Sequence, residues 1–480
     1  MNAPVLLALL LALARPAVPW ASPVQTALEL DVPLDPDIAV DRIVDEALLR
    51  GHSYVNLRNL TRVAPHRLSG SPGAARAVEW ARQRMVADGF ENVRLEAVTV
   101  PYWERGPVEE LQCVSPEELA GASLPILALG GSIATPEEGI EAEVLLVRSF
   151  AELATVGARA RGKILLLNGP MNEAEVDTFR AYGEAVIQRV DGAVAAARLG
   201  AAAVLVRSVT TRRDDSPHTG SLRYAEGIPR IPAAAISTNG ADSIAELLRT
   251  GRQVRLRLRL ACVQHPPVES FNVVGEVVGR EKPEEIVVVG AHLDAWDVGE
   301  GAHDDGAGCV QALEAVRLIL RLGIRPRRTV RCVLFMNEEN GLAGAKGYYR
   351  EHISEMSRHV LAIESDRGGF SPVGFSATMS SAALDELEAL VARMSRLGPL
   401  AVVPGGAGAD IAPMGRSGVP LVGFVPDGQR YFDFHHSERD ILRAVHPREL
   451  ALGSAAITAL AWLAAESEEP LPRAESAGSR

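Results

Sequence analysis

The second half of the chain alternates apolar strands with helices, and this alternation restricts the fold more than any other feature of the sequence. Residues 285–292 (EIVVVGAH), 329–336, 360–364 and 419–425 are rich in β-branched and other apolar side chains, which is typical of buried strands. Residues 305–322, 343–352, 381–395 and 448–464 have the apolar spacing of helices. We therefore predict an α/β fold with a central, mostly parallel mixed sheet covered by helices on both faces.

The first half of the chain contains a long region with a different character. Residues 38–50 and 74–89 are predicted helices, and residues 93–100 alternate like a strand. Between residues 124 and 265, short strands and an amphipathic helix over 182–199 occur without any catalytic spacing. We interpret residues 124–265 as an inserted domain that divides a main domain into two parts, residues 23–123 and 266–465. The acidic and then Pro-rich residues 466–480 are predicted to form a disordered tail.

The N-terminus has the features of a segment that is removed after export. Residues 5–14 (VLLALLLALA) form an apolar run that is too short for a bilayer but suits the core of a signal peptide, which we place at residues 1–22. No other stretch is long and apolar enough to span a membrane. We expect the mature protein to be secreted or periplasmic and not membrane-bound. That environment would permit disulfides among its four cysteines.

Composition excludes several classes of protein. Apolar residues make up 47% of the chain and charged residues 23%, which is ordinary globular usage and argues against global disorder. The net charge is −12, with no basic cluster, so nucleic acid is not an expected partner.

Side chains that bind metals follow the predicted strands at five places. These are His292 with Asp294, the run His303-Asp304-Asp305, the pair Glu338-Glu339, Asp366, and the pair His435-His436. A parallel sheet brings such strand ends to one edge, where clustered carboxylates would repel one another unless a cation were present. Imidazoles combined with carboxylates suit zinc, whereas calcium prefers oxygen ligands alone. We predict two zinc ions per chain.

The motifs around these residues are those of a known family. The stretches AHLDAWDVGEGAHDDGAG, FMNEENGLAGAKGY, IESDRGGF and YFDFHHSERD resemble, in the same order, the co-catalytic zinc exopeptidase family that contains bacterial leucine aminopeptidase and glutamate carboxypeptidase. The resemblance covers most of residues 40–465. It implies a zinc aminopeptidase-like fold, and the inserted region resembles a protease-associated domain that would act as a lid.

The resemblance also implies a role for individual residues. It assigns proton transfer to Glu338 and makes Asp294 a supporting carboxylate that orients His292; Asp440 fits the same supporting role for His436. It gives no ligand role to His303. The implied zinc ligands are His292, Asp304 as the bridging carboxylate, Glu339, Asp366 and His436, with His435 as the alternative to His436.

These roles imply a metallopeptidase that hydrolyses short peptides or dipeptides with a zinc-activated water, and the N-terminal run adds the expectation that it is secreted. An aminopeptidase acting on longer peptides is the alternative within the same chemistry. A non-catalytic receptor-like relative and a single-zinc glutaminyl cyclase are the competing classes, and the complete ligand set argues against both. A serine hydrolase is disfavoured because the sequence has no Gly-x-Ser-x-Gly elbow. The resemblance also suggests a homodimer.

Overall fold

The computed structural model describes residues 34–473, and the predicted signal peptide lies outside them. The helices are α1 (Pro36–Arg50), α2 (Ser53–Val63), α3 (Pro72–Ala87), α4 (Phe150–Val156), α5 (Thr178–Ala185), α6 (Ile187–Arg198), α7 (Thr238–Arg249), α8 (Ala307–Leu322), α9 (Ala343–Glu351), α10 (Ser381–Ala392), α11 (Ala412–Gly415) and α12 (Pro447–Glu466). The strands are β1 (Glu91–Glu104), β2 (Glu109–Ser115), β3 (Ile126–Ala128), β4 (Ile140–Val147), β5 (Ile164–Leu167), β6 (Ala203–Arg207), β7 (Ala233–Ile236), β8 (Arg255–Leu260), β9 (Val263–Val277), β10 (Lys282–His292), β11 (Arg328–Phe335), β12 (His359–Glu364), β13 (Pro372–Thr378), β14 (Ala401–Pro404) and β15 (Leu421–Pro426).

The main sheet has eight strands in the order β1-β9-β11-β10-β12-β15-β13-β14. Its central strands β11, β10, β12 and β15 are parallel, while β9 and β13 run antiparallel to their inner neighbours. The predicted mixed, mostly parallel sheet is therefore confirmed. Because neighbouring central strands share one direction, their carboxyl ends lie at one edge.

Helices cover the apolar faces of this sheet. The largest core cluster combines residues of α1, α3, α8 and α12 with the inner strands. By length and composition α12 resembles a membrane span, which corrects the expectation that no stretch beyond the N-terminus is long and apolar enough. Residues 453–465 are all buried within the protein, which is the environment of a core helix.

Residues 467–473 correct the start of the predicted tail. Leu471 is buried in the main core, and the Arg473 guanidinium donates hydrogen bonds to the carbonyl oxygens of Met356 and His359. These contacts hold a segment whose acidic and Pro-rich composition had predicted disorder.

A second sheet is formed within residues 109–260, so it begins inside the predicted first part of the main domain and corrects the start of the inserted region, which the sequence had placed at residue 124. Its seven strands have the order β2-β8-β4-β5-β6-β7-β3, with β4 to β7 parallel. The chain leaves the main sheet along β1 and returns along β9, and these two strands pair antiparallel from Glu91 to Glu104. The second sheet is thus tied to the first by a long two-stranded ribbon.

The two sheets also pack against each other next to the strand end of β10. Trp296 is buried in the core of the second sheet, and its ring lies against Gly130, where a Cβ atom would come within 1.9 Å of it. Asp297 forms an ion pair with Arg105, whose guanidinium also donates to the Ala128 carbonyl. The second sheet therefore contacts the loop that follows His292.

All four cysteines are buried free thiols. None of the disulfides that export would permit is formed among them.

Candidate metal centre

The metal-binding residue types predicted from the sequence meet at the carboxyl edge of the main sheet. His292 is the last residue of β10, Glu338 and Glu339 follow β11, and Asp366 follows β12. Asp304 lies in the turn before α8, and the His435-His436 pair follows β15. The edge brings together residues that are up to 144 positions apart in the chain because each follows a strand or precedes a helix of the same layer.

Asp304 lies between two groups of ligands. Its Oδ1 is 3.2 Å from Nε2 of His292, and that nitrogen is 3.3 Å from Oδ1 of Asp366. Its Oδ2 is 3.2 Å from Nε2 of His436, and that nitrogen is 3.0 Å from Oε2 of Glu339. The five side chains thus form two half-sites, each with one imidazole and one terminal carboxylate, which share Asp304.

His436 is better placed than His435 to complete the second half-site. Nε2 of His435 is 3.6 Å from Asp304 Oδ2, and its ring stacks on His436 with centroids 3.5 Å apart. Only His436 also contacts Glu339. His303 points away from both half-sites, since its Nδ1 accepts a hydrogen bond from the Gly369 N–H and its ring stacks on Phe370.

Two buried carboxylates support the centre through backbone groups. Oδ1 of Asp294 accepts hydrogen bonds from the N–H groups of Asn337 and Glu338 at 2.7 and 3.1 Å. The Asp440 carboxylate accepts from the N–H groups of His303 and Asp304 at 2.6 and 3.0 Å. Both therefore fix the loops that carry site residues.

These contacts differ from the predicted supporting roles of both acids. Nδ1 of His292 contacts the backbone oxygen of Asp294 at 3.0 Å, whereas the carboxylate is 4.0 Å away. Asp440 holds the Asp304 turn rather than His436. Both acids lie next to the centre, as predicted, but sequence alone distinguishes neither a main-chain from a side-chain acceptor in Asp294 nor which loop the Asp440 carboxylate contacts.

The loop between β6 and β7 supplies the partner of His436. The carbonyl oxygen of Thr219 lies 3.3 Å from Nδ1 of His436, and the Thr219 N–H donates to the His436 carbonyl at 2.9 Å. His218 Nδ1 lies 2.7 Å from the carbonyl of His435. No sequence motif pointed to His218 and Thr219, because they follow no predicted strand end and act mainly through the backbone.

Electrostatics at the centre are dominated by burial and by the close carboxylates. Burial alone would lower the pKa of His292, but the facing carboxylates of Asp366 and Asp304 raise it well above its usual range. Burial would raise the pKa of Asp304, yet His292 and His436 hold it well below the usual value. Burial raises the pKa of Glu338 well above its usual range, and Asp366 adds to the effect. These pKa shifts show that the buried carboxylates of the cluster favour a positively charged group placed between them.

The donor set fits zinc. Two ligand atoms bound at about 2.0–2.2 Å to one tetrahedral zinc are roughly 3.3–3.5 Å apart, and the nitrogen–oxygen distances in each half-site are close to this separation. Asp304 Oδ2 and Glu339 Oε1 are buried and accept no hydrogen bond from the residues the structure describes. Buried carboxylate oxygens without donors are costly unless a cation binds them.

The two half-sites open into a cavity of about 370 Å³. Glu338 lines it together with the zinc-ligand candidates, and part of its wall comes from helices α5 and α6 of the inserted region through Phe179, Tyr182 and Arg189. The cavity is thus enclosed by both layers of the molecule.

Comparison with known proteins gives consistent results. Residues 272–461 match the model of peptidase family M28. Carboxypeptidase Q of Bos taurus is 39% identical over 424 residues, which cover 88% of this chain and 87% of the relative. A crystal structure of a peptidase M28 precursor from Shewanella amazonensis SB2B is 35% identical, with a TM-score of 0.87 over 92% of this chain and 99% of its own. The zinc aminopeptidase BSAP from Bacillus subtilis, 19% identical with a TM-score of 0.64 over 88% of this chain and 96% of its own, shares the fold.

Proposed function

The chain belongs to peptidase family M28 and is a zinc metallopeptidase of the carboxypeptidase Q type, and from this premise we propose that it binds two zinc ions and acts as an exopeptidase on short peptides or dipeptides. The observation that carries the proposal is the position of Asp304, whose two carboxylate oxygens face two separate imidazoles. A site for one metal ion would need only one of these two half-sites, so the presence of both favours two ions. In this assignment His292 and Asp366 would hold one ion, His436 and Glu339 would hold the other, and Asp304 would serve both.

Bound zinc supplies Lewis acidity that lowers the pKa of a water molecule and polarises a peptide carbonyl. Glu338 is assigned the proton transfers. Its carboxylate accepts the proton of the attacking water and then donates it to the nitrogen of the leaving amine as the C–N bond breaks. The hydrogen bond from its N–H to Asp294 fixes the start of the loop that carries it. No covalent enzyme intermediate is required.

The shape of the cavity supports small substrates. The main sheet forms one side of it, and Phe179 and Tyr182 of α5 line another. A cavity of this size lies at the lower end of the range for small-molecule sites. We assign the second sheet to the protease-associated domain predicted from the sequence, with the function of a lid.

Zinc content and a substrate panel test the proposal together. We expect two zinc ions per chain by elemental analysis of the purified protein. The panel contains dipeptides with free termini, N-acetylated dipeptides, dipeptide amides and peptides of four to six residues. Preferential hydrolysis of dipeptides supports the proposal. Equal or faster hydrolysis of the longer peptides would contradict the preference for dipeptides, and loss of hydrolysis on N-acetylation would then favour an aminopeptidase. A zinc-loaded protein that cleaves none of the substrates would contradict the activity.

Export and assembly are separate proposals. The apolar N-terminal run supports a secreted or periplasmic protein, which cell fractionation can test by locating the mature chain. The proposed homodimer can be tested by light scattering at micromolar concentration, where a monomeric mass would contradict it.

A further inference from the structure

The two half-sites of the metal centre differ in which part of the chain holds their ligands. The first half-site contains His292 and Asp366, and Nδ1 of His292 faces the Asp294 carbonyl at 3.0 Å, a partner from the main domain. Among residues 34–473, neither of these two ligands forms a hydrogen bond with the inserted region. The main domain alone therefore builds the first half-site.

Arg67 of the main domain fixes the loop on which the first half-site depends. Its side chain is fully buried. Its guanidinium donates to the carbonyl oxygens of Leu293, Glu300 and Gly301, each at 2.7 Å. These acceptors lie near both ends of the loop that joins the first imidazole to the shared carboxylate. The loop is thus held by bonds that do not involve the inserted region.

The second half-site is held from both sheets. The Ser221 hydroxyl donates to the Glu339 carbonyl at 2.7 Å. Thr219 contacts the carbonyl oxygen and the imidazole of His436. Both ligands that belong to this half-site alone therefore have partners in residues 208–232, the β6–β7 loop.

The β6–β7 loop is fixed to the second sheet and would move with it. The Gly130 N–H donates to the Gly220 carbonyl, and the Gly130 carbonyl accepts from the Leu222 N–H, both at 3.0 Å. The Thr219 hydroxyl donates to the Ala128 carbonyl at 2.8 Å. A displacement of the second sheet would therefore carry this loop away from the second half-site and leave the bonds around the first intact.

We propose that the β6–β7 loop completes the second half-site, with Ser221 as a positioning residue for Glu339. The inference rests on the proposed two-zinc function and adds an order of assembly to it. The first ion binds where the main domain suffices, and the second ion binds where the inserted region must also be docked. Because coupling between two binding events is reciprocal, the second ion and the docked loop stabilise each other.

Zinc titration of the metal-free, full-length protein by calorimetry tests the proposal. Ser221→Ala removes the hydroxyl donor, so the affinity of the second half-site should fall by about 10- to 100-fold, the usual cost of losing an outer partner of a ligand. The affinity of the first half-site should not change. Ser221→Thr keeps the donor and should restore the affinity. Ser243→Ala is the matched control, since Ser243 is an exposed serine of the inserted region whose hydroxyl donates within α7.

Two further variants assign the effect to one half-site. Asp366→Asn weakens the first half-site, so the tighter site that remains should lose affinity when Ser221→Ala is added. Glu339→Gln weakens the second half-site, and its remaining tight site should be unaffected by Ser221→Ala. Equal weakening in both backgrounds, or in neither, would overturn the proposal while two zinc ions still bind. A wild-type protein that binds one ion would contradict the two-zinc function and this inference with it.

Hydrogen exchange of the β6–β7 loop measures the reciprocal effect. The Thr219 N–H donates to the His436 carbonyl across the two sheets, so its exchange rate reports docking of the loop. Loading the wild-type protein with two equivalents of zinc should slow this exchange by a factor similar to the affinity lost in Ser221→Ala. The slowing should be much smaller in Glu339→Gln. No slowing in the wild type, or equal slowing in both proteins, would contradict the coupling.

Discussion

Thr219 and His436 contact each other in both directions: the N–H of Thr219 donates to the His436 carbonyl, and the Thr219 carbonyl faces Nδ1 of the His436 imidazole. His436 has a left-handed backbone conformation, with φ at 61°, which is uncommon for a residue with a side chain. The contact therefore fixes both the backbone and the ring of a candidate ligand. Partners of this kind orient metal-binding imidazoles and affect metal affinity. The inserted region is thus part of the site's framework as well as its cover.

Gly220→Ala should disturb this framework through Arg189. The added Cβ would meet the guanidinium at 2.3–2.6 Å, so the side chain and the neighbouring Thr219 carbonyl must shift. We expect kcat/KM for dipeptides to fall on the order of 10²-fold, the effect of displacing a site by about 1 Å. Gly227→Ala is the matched control, because Gly227 also has a positive φ but nothing lies within 4 Å of its Cβ position. Equal activity of the two variants would contradict this.

Glu338→Gln should separate proton transfer from metal binding. The substitution preserves the shape of the side chain but removes the base, so kcat should fall by roughly 10²–10⁴-fold with zinc content unchanged. Substrate binding, measured by calorimetry, should persist.

Glu339→Gln should act on the metal instead. It replaces a charged ligand next to His436 with a weak neutral one, so occupancy of one zinc site should fall. Added zinc should partly restore the activity of Glu339→Gln and leave Glu338→Gln inactive. The reverse pattern of rescue would mean that the two roles are exchanged.

Asp304→Asn should weaken both zinc sites, because one carboxylate faces both imidazoles. Asp366→Asn should weaken only the site at His292. For each affected site we expect affinity to fall by at least about 10- to 100-fold, the cost of losing even an outer partner of a ligand. Zinc titration by calorimetry would show two weakened sites in one variant and one in the other. Retention of one site at wild-type affinity in Asp304→Asn would exclude the bridge.

His359 should make stability depend on pH. Burial lowers its pKa to about 4, and its Nε2 lies 2.9 Å from the Tyr348 hydroxyl. The unfolded chain, with an ordinary pKa near 6.5, binds the proton more readily, so stability is lost as pH falls from about 6.5 to 4. The loss attributable to this group is about 3 kcal/mol at most.

Urea unfolding of metal-free wild-type and His359→Gln protein at several pH values measures this effect. Chelation of the metal removes zinc release as a second cause. The difference in unfolding free energy between the two proteins should shrink as pH falls through this window. A difference that stays constant with pH would rule out His359 as the titrating group.

Much of the fold was predictable because it depends on local periodicity. Strand β10 and helix α8 appeared at nearly their observed positions, since a run such as IVVVGA is too apolar for an exposed element. Strand β9 was not recognised. Its first half is polar and largely exposed, and its second half is buried, so neither alternation nor a continuous apolar run marks its whole length.

The candidate ligands were predictable for a related reason. His292, Glu339 and Asp366 each stand next to the end of a strand, so the topology of a parallel sheet places them together. The family, fold and metallopeptidase class implied by their motifs are confirmed by the relatives. The contributions of Thr219 and Arg189 were not predictable, because they depend on how a separate sheet packs over this edge. The individual roles within the site remain predictions.

The ribbon of β1 and β9 joins the second sheet to the main sheet at a single place, which affects how the second sheet could be removed from the chain. Trp103 stands opposite Gln264 and Glu104 opposite Val263, so the chain enters and leaves the second sheet at one point. A genetic exchange that replaced the whole module with a short turn would leave the ends of the main sheet where they are. It would also remove the acceptor that faces the His436 imidazole. A chain without the module would need another acceptor in place of that single carbonyl, so the two modules are separable in topology but are linked by one contact at the metal centre.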